Sequence, residues 1–353
     1  MQNYICKVCG SELYWDAKTN SLKCEYCDSV FHINDFEDAT LNKENVKDES
    51  IKDTSYISEE LEDGMVAYQC NKCSGTVITS KLTMAEVCPY CGESISITSK
   101  SVGEFRPKFI IPFGIEKKRA KEIYQDYVKH AIFVPKAFKL DNIVEKMQGL
   151  YAPFFLHDLE NKSYHEFTGE IITKRQSGEY TIVKHDVYLL QADIKCKYEK
   201  LPTDGSLRLD DYMMKCVEPF DYKGIKDYNP AYMSGFLAEQ TDEDEADIDH
   251  MAIERSKEGN NYKARSLFNR YSGLCDKNSQ YGISKHVKHY TMLPLWLLNV
   301  NHGSKNYQFA INGQTGKITG KLPLDIKRLG LTSGITFILS DIVIALLQMG
   351  GVF

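Results

Sequence analysis

Tryptophan is nearly missing from this chain, with two in 353 residues, and basic charge is in deficit: 43 Lys and Arg stand against 49 Asp and Glu, a formal charge of −6. The deficit argues against a protein whose main task is to hold phosphate backbones, because that binding rests on clustered cations. The start, MQNYICKVCG, lacks the basic segment and apolar run of a secretory signal. The thiols are therefore expected to meet a reducing cytosol, where disulfides seldom persist. Nucleotide-hydrolysing apparatus is missing too. In INGQTGKITG (311–320), Ile311 stands where a phosphate loop needs its first glycine, and Ile318 follows Lys317 where Ser or Thr is required. The Asn-Gly and Thr-Gly pairs there read as a hairpin turn. FFLHDL places His157 beside Asp158 but offers no nucleophile. HVKH supplies His286 and His289 without a third ligand nearby in sequence, and both read as strand or loop surface. Cys196, Cys216 and Cys275 share no spacing and read as small core residues. No enzyme motif is present, and we expect a non-enzymatic protein.

What the chain has in excess at one end is cysteine: eight of its 11 lie in the first 91 residues. They form two groups, Cys6, Cys9, Cys24, Cys27 and Cys70, Cys73, Cys88, Cys91, each reading C-x2-C, fourteen residues, C-x2-C, and set 64 residues apart. A redox dithiol would need one CxxC beside a βαβ unit. Four thiolates converging on one tetrahedral ion fit the repeat better, and four protein ligands leave no open position, which makes the expected Zn2+ ions structural, one per group. Each group lies in a segment too small to bury an adequate core, so metal binding, roughly 10–16 kcal/mol in comparable peptides, supplies much of its folding energy. Gly10 and Gly92 follow their knuckles, where positive φ is needed. The units resemble rubredoxin-knuckle zinc ribbons. Residues 1–40 carry three lysines and seven acids. Tyr14, Trp15, Tyr26 and Phe31 read as the ribbon's own small core, and protein partners are favoured over nucleic acid.

The ribbons are placed at 1–40 and 61–102, joined by a polar, flexible linker at 41–60 that leaves them as tethered modules. Residues 103–328 read as an antiparallel α+β domain. KFIIPF is a buried strand closed by Pro112, and Ala120, Ile123, Tyr124, Tyr127 and Val128 share one helical stripe. The segment at 151–172 echoes that at 291–313, with Pro153 matching Pro294; each reads as a short apolar strand, a polar turn and an aromatic-rich strand, a duplicated hairpin. Residues 241–272 read as a helix capped by Thr241.

The tail, 329–353, holds one charge, Asp341, in 25 residues, with Lys327 and Arg328 just before it. Its length suits a bilayer span, at marginal energy, because a central Asp costs about 2.5–3.5 kcal/mol. Leu331, Ile335, Ile338, Ile342, Ala345 and Met349 also follow a 4-3-4-3-4 spacing that suits a packed helix or self-association through 331–349.

The eight cysteines, the LPLWLLNV and NGQTGKITG segments and the apolar tail together resemble a family of bacterial proteins, mostly Gram-positive, labelled TFIIB-type zinc-ribbon proteins. Some members carry a primosomal or replication-helicase label. The resemblance implies a cytoplasmic adaptor, anchored at the inner face of the cell membrane by 329–353, that acts with phage shock protein A-like and SPFH-type membrane scaffolds in envelope stress. A nucleic-acid-binding zinc-ribbon protein of replication or transcription is the alternative class.

Overall fold

The computed structural model describes residues 4, 6–11, 13–39, 65–69, 76–80, 83–87, 94–96, 107–241, 243–303 and 305–349. The linker at 41–60 lies outside them. A small sheet comes first, with β1 (Leu13–Asp16), β2 (Ser21–Cys24) and β3 (Val30–Phe31) in that order. Two hairpins follow, β4 (Met65–Gln69) with β5 (Thr76–Ser80), and β6 (Thr83–Val87) with β7 (Ser94–Ser96). Then come β8 (Phe109–Ile110), α1 (Lys117–Lys129), α2 (Asp141–Val144), β9 (Gln148–Ser177), β10 (Tyr180–Asp204), α3 (Asp211–Val217), β11 (Lys226–Asp227) and β12 (Leu237–Glu239). The chain continues through α4 (Glu245–Ser266), β13 (Ser272–His302), β14 (Lys305–Asn312), β15 (Ile318–Gly320) and α5 (Ile326–Met349). The protein is α+β, and its main sheet is mostly antiparallel.

Two very long strands form the frame. β9 and β13 run antiparallel from Leu297↔Gln148 to Ser272↔Glu170. β10 returns along the other edge of β9, from Tyr180↔Ser177 to Asp204↔Phe154. Near its start β9 also pairs with β12, which carries β6 and β7 into the same sheet, while β14, β15, β8 and β11 extend the β13 side. Residues 149–157 of β9 are buried throughout, as in a strand covered on both faces. Beyond them burial alternates, with Leu159, Asn161, Ser163, His165, Phe167 and Gly169 inward.

Helix α4 covers that inward face. Its buried positions, Ile248, Ala252, Ser256, Asn260 and Ala264, recur every fourth residue. The polar turn expected within 151–172 does not form: β9 runs straight through the polar run Glu160–Ser163. Its polar side chains are satisfied in place, since Asn260 Nδ2 donates to Asn161 Oδ1 at 2.8 Å and Ser163 Oγ at 2.9 Å. Only the second of the two echoing segments makes its hairpin there, β13 to β14. The echo has a different meaning: the segments are one another's partners, with Tyr151 opposite Pro294 and Pro153 opposite Met292. The cap of α4 is Asp244, whose carboxylate accepts from Ala246 N; Thr241 is buried and donates to Gly205 O at 2.7 Å.

The ribbon is no tethered module. Trp15 is buried with Phe113, Tyr151 and Trp296 in one core. Its indole donates to Phe113 O, its backbone N–H to Ser234 O, and its ring meets Tyr232 edge-on at 4.7 Å. Tyr4 reaches Asn229 Oδ1 at 3.1 Å. The other tryptophan, Trp296, donates to Ile115 O at 2.9 Å. Both indoles thus grip the loop after β8. The expected stripe on α1 is there, with Ala120, Tyr124 and Val128 buried. So is the turn at 312–317, where Gly316 has φ +80° and Asn312 N donates to Lys317 O.

α5 starts against the body through Asp325 N, which donates to Phe133 O at 2.6 Å. Leu331, Ile335, Phe337, Ile338, Leu339, Ile342 and Ile344 are exposed along it. Among the described residues no helix is long and apolar enough to cross a membrane.

Two outcomes follow from this packing. Trp15→Ala is expected to lower stability by about 3–5 kcal/mol, the usual range for deleting a buried Trp, in urea unfolding followed by Trp296 fluorescence. At the end of β10, burial pushes Asp204 up to about 8, and its Oδ2 accepts no hydrogen bond. A carboxyl whose folded pKa is raised favours folding below its unfolded value near 4 and loses that contribution as pH rises toward 8. The melting-temperature gain of Asp204→Asn is therefore expected to be small at pH 4 and to grow through pH 8.

Candidate metal centre

The two knuckles of the first ribbon are built alike. Cys6 N donates to Ser11 O at 2.7 Å and Gly10 N to Cys6 O at 2.9 Å; Cys24 N donates to Ser29 O at 2.9 Å and Asp28 N to Cys24 O at 3.0 Å. The residue after each second cysteine takes positive φ, +76° at Gly10 and +56° at Asp28. Gly10 was legible in this role. Asp28 was not, although the shared pattern C-x2-C-(Gly or Asp)-Ser signals it. Asp tolerates the left-handed region better than most residues.

These turns aim four sulfurs at one point. Cys6 Sγ lies 3.5 Å from Cys27 Sγ, Cys9 Sγ lies 3.5 Å from Cys24 Sγ, and all four sulfurs are within 4.8 Å of one another. Disulfides need about 2.05 Å. A tetrahedral ion with sulfur at about 2.3 Å sets its ligand edges near 3.8 Å, which these separations bracket. The cluster can hold a metal ion. Hydrogen bonds from the side chain and backbone of Ser11 lower Cys9 to about 6, and those of Ser29 lower Cys27. Burial pushes Cys24 up to about 11. A cation reverses that last effect, because a coordinating thiol gives up its proton. Cys6 and Cys24 are buried, Cys27 half-buried and Cys9 exposed.

Cys70, Cys73, Cys88 and Cys91, with Gly92, lie outside the described residues. In sequence, the first pair falls between β4 and β5 and the second between β6 and β7. Of the remaining cysteines, Cys196 and Cys216 are half-buried and Cys275 is exposed on β13, so the expectation of small core residues fails for Cys275. The neighbours His157 and Asp158 point to opposite faces of β9, as adjacent strand residues must. Asp158 accepts from Lys200 N at 2.9 Å, while His157 is buried, and burial with the nearby His286 lowers it to about 4. His286 and His289 are three residues apart on β13 and also face opposite ways; the ring of His289 meets Phe109 at 5.5 Å.

No family model matches the chain, and no solved structure matches it. It is 27% identical over 356 residues, covering 99% of each chain, to the uncharacterized protein YdjG of Bacillus subtilis (strain 168).

Since Trp15 ties the ribbon to the body, removal of an ion held by the four cysteines should be felt there. In a Trp296→Phe background, chelator treatment is expected to red-shift Trp15 emission, and Cys9→Ser with Cys27→Ser to do so without chelator. Unchanged emission would mean that the ribbon holds its place without an ion.

Proposed function

We propose that this chain is a non-enzymatic zinc adaptor that docks protein partners at the cytoplasmic face of the membrane. Zn2+ is the ion of the Cys6, Cys9, Cys24, Cys27 cluster, and the repeated spacing assigns a second Zn2+ to Cys70, Cys73, Cys88 and Cys91. Four thiolate ligands saturate each ion, so the metal shapes a surface instead of performing chemistry. That surface is acidic and suits protein partners better than nucleic acid. The family resemblance suggests membrane-scaffold proteins of the envelope-stress kind as those partners.

The observation that carries the attachment is α5. Among the described residues its large apolar side chains from Leu331 to Ile344 are exposed, where a soluble surface helix would present one apolar stripe to its own core. Three of its hydroxyls are satisfied within the helix: Thr332 Oγ1 donates to Arg328 O at 2.9 Å, Thr336 Oγ1 to Thr332 O at 3.0 Å and Ser340 Oγ to Phe337 O at 2.7 Å. Such self-satisfaction is what an apolar surrounding demands of polar groups. Lys327 and Arg328, just inside its start, suit an anionic inner surface.

The test is co-flotation with phosphatidylglycerol-containing vesicles, comparing the full chain with a version ending at Arg328. The full chain is expected to float and the shortened one to stay in the buffer. A full chain that remains vesicle-free removes the membrane attachment, and in that case sedimentation reports whether 331–349 drives self-association instead.

A further inference from the structure

Well away from the cysteines, three elements bring metal-ligating side chains to one point. His157 comes from β9, His286 from β13 and Asp249 from the second turn of α4. The register explains the pairing. Lys288 lies opposite His157, so His286, two residues earlier, shares its face as a diagonal neighbour. His157 Nδ1 stands 2.8 Å from His286 Nε2, and His286 Nε2 stands 3.8 Å from Asp249 Oδ1; the three atoms lie within 4.8 Å of one another.

The surroundings of the cluster suit a ligand. Asp249 Oδ1 is buried, and its neighbours are the Lys288 ammonium at 3.2 Å and His286. The far nitrogen of His157, Nε2, is fixed by Thr203 Oγ1 at 2.8 Å. An anchored second nitrogen is the usual support of a metal-binding imidazole. His157 is fully buried, while His286 and Asp249 reach partly exposed surface, which gives an ion an entry path.

We propose that His157, His286 and Asp249 form a site for a divalent transition ion of the zinc class, which pins α4 to the β9–β13 ladder. Two imidazoles and a carboxylate suit such an ion, and their chemistry differs from that of the thiolate cluster. Binding requires the two nitrogens to part from 2.8 Å to about 3.3 Å, the edge of a tetrahedron with metal–nitrogen bonds of about 2.05 Å. His286, at the surface, supplies the movement. Three protein ligands leave a fourth position for water. Lys288 competes with the ion for Asp249, and Glu245, 3.1 Å from its ammonium, stays available to take it.

The test uses the full chain, with zinc per chain counted at equilibrium dialysis. Wild type is expected to hold one ion more than the His286→Ala/Asp249→Asn double variant, whose cysteine clusters are untouched. Lys288→Ala is expected to keep the wild-type count and to lower the half-saturating zinc concentration by about tenfold, the equivalent of about 1.4 kcal/mol. A merely structural Asp249 would not respond in that direction. Cobalt added as a probe should show, in wild type alone, an increment free of thiolate charge-transfer absorption. Equal counts in wild type and a double variant with the wild-type circular dichroism spectrum overturn the proposal, as does a cobalt increment that carries only thiolate bands. Loss of zinc from the cysteine variants leaves this comparison intact, so the two sets of sites fail separately.

Discussion

The loop Phe113–Ile115 is held by the only two tryptophans of the chain, one reaching it from the ribbon and one from β13. An indole N–H that is buried needs an acceptor, and here both find carbonyls two residues apart. Phe113 itself stacks on Phe236 at 4.1 Å and packs against Tyr151 and Trp296. Ribbon, β8 connection and long ladder therefore share one aromatic junction. The four-cysteine cluster is thus coupled to the body through the contacts of Trp15 and Tyr4.

That coupling bears on what the cysteine-bearing ribbon presents. A ribbon swinging on a tether could offer every face to a partner. Docked through Tyr4 and Trp15, it offers the sides away from the body, including the exposed Cys9 knuckle and Tyr26. A partner on that surface would meet a fixed shape, with less ordering cost than a mobile module would incur.

The convergence of Cys6, Cys9, Cys24 and Cys27 was legible from sequence because their spacing dictates it: sulfurs meet only if two tight turns are brought together by a hairpin. The stripe on α1 and the turn at 312–317 were legible for the same local reason. Trp15 was misread as ribbon core, since nothing local names the distant surface it enters. The polar run at Glu160–Ser163 was misread as a turn, because the Asn260 that satisfies it lies 99 residues away from Asn161. The His157–His286 contact spans 129 residues and depends on strand register, which no short motif encodes.

The strict alternation along β9 has a consequence for how this arm can change in length. Adding one residue between Leu159 and Gly169 would turn every inward side chain beyond it outward and strip α4 of its contacts. Growth or shortening is therefore tolerated in twos, or where a bulge absorbs the odd residue. The register already shifts at Tyr198/Leu201 on β10 and at three places on β13, Ser272/Cys275, Asp276/Asn278 and Ile283/Lys285. These shifts sit on the partners of β9 and spare β9 itself, so the outer strands are where insertions and deletions can accumulate while the central one keeps its parity.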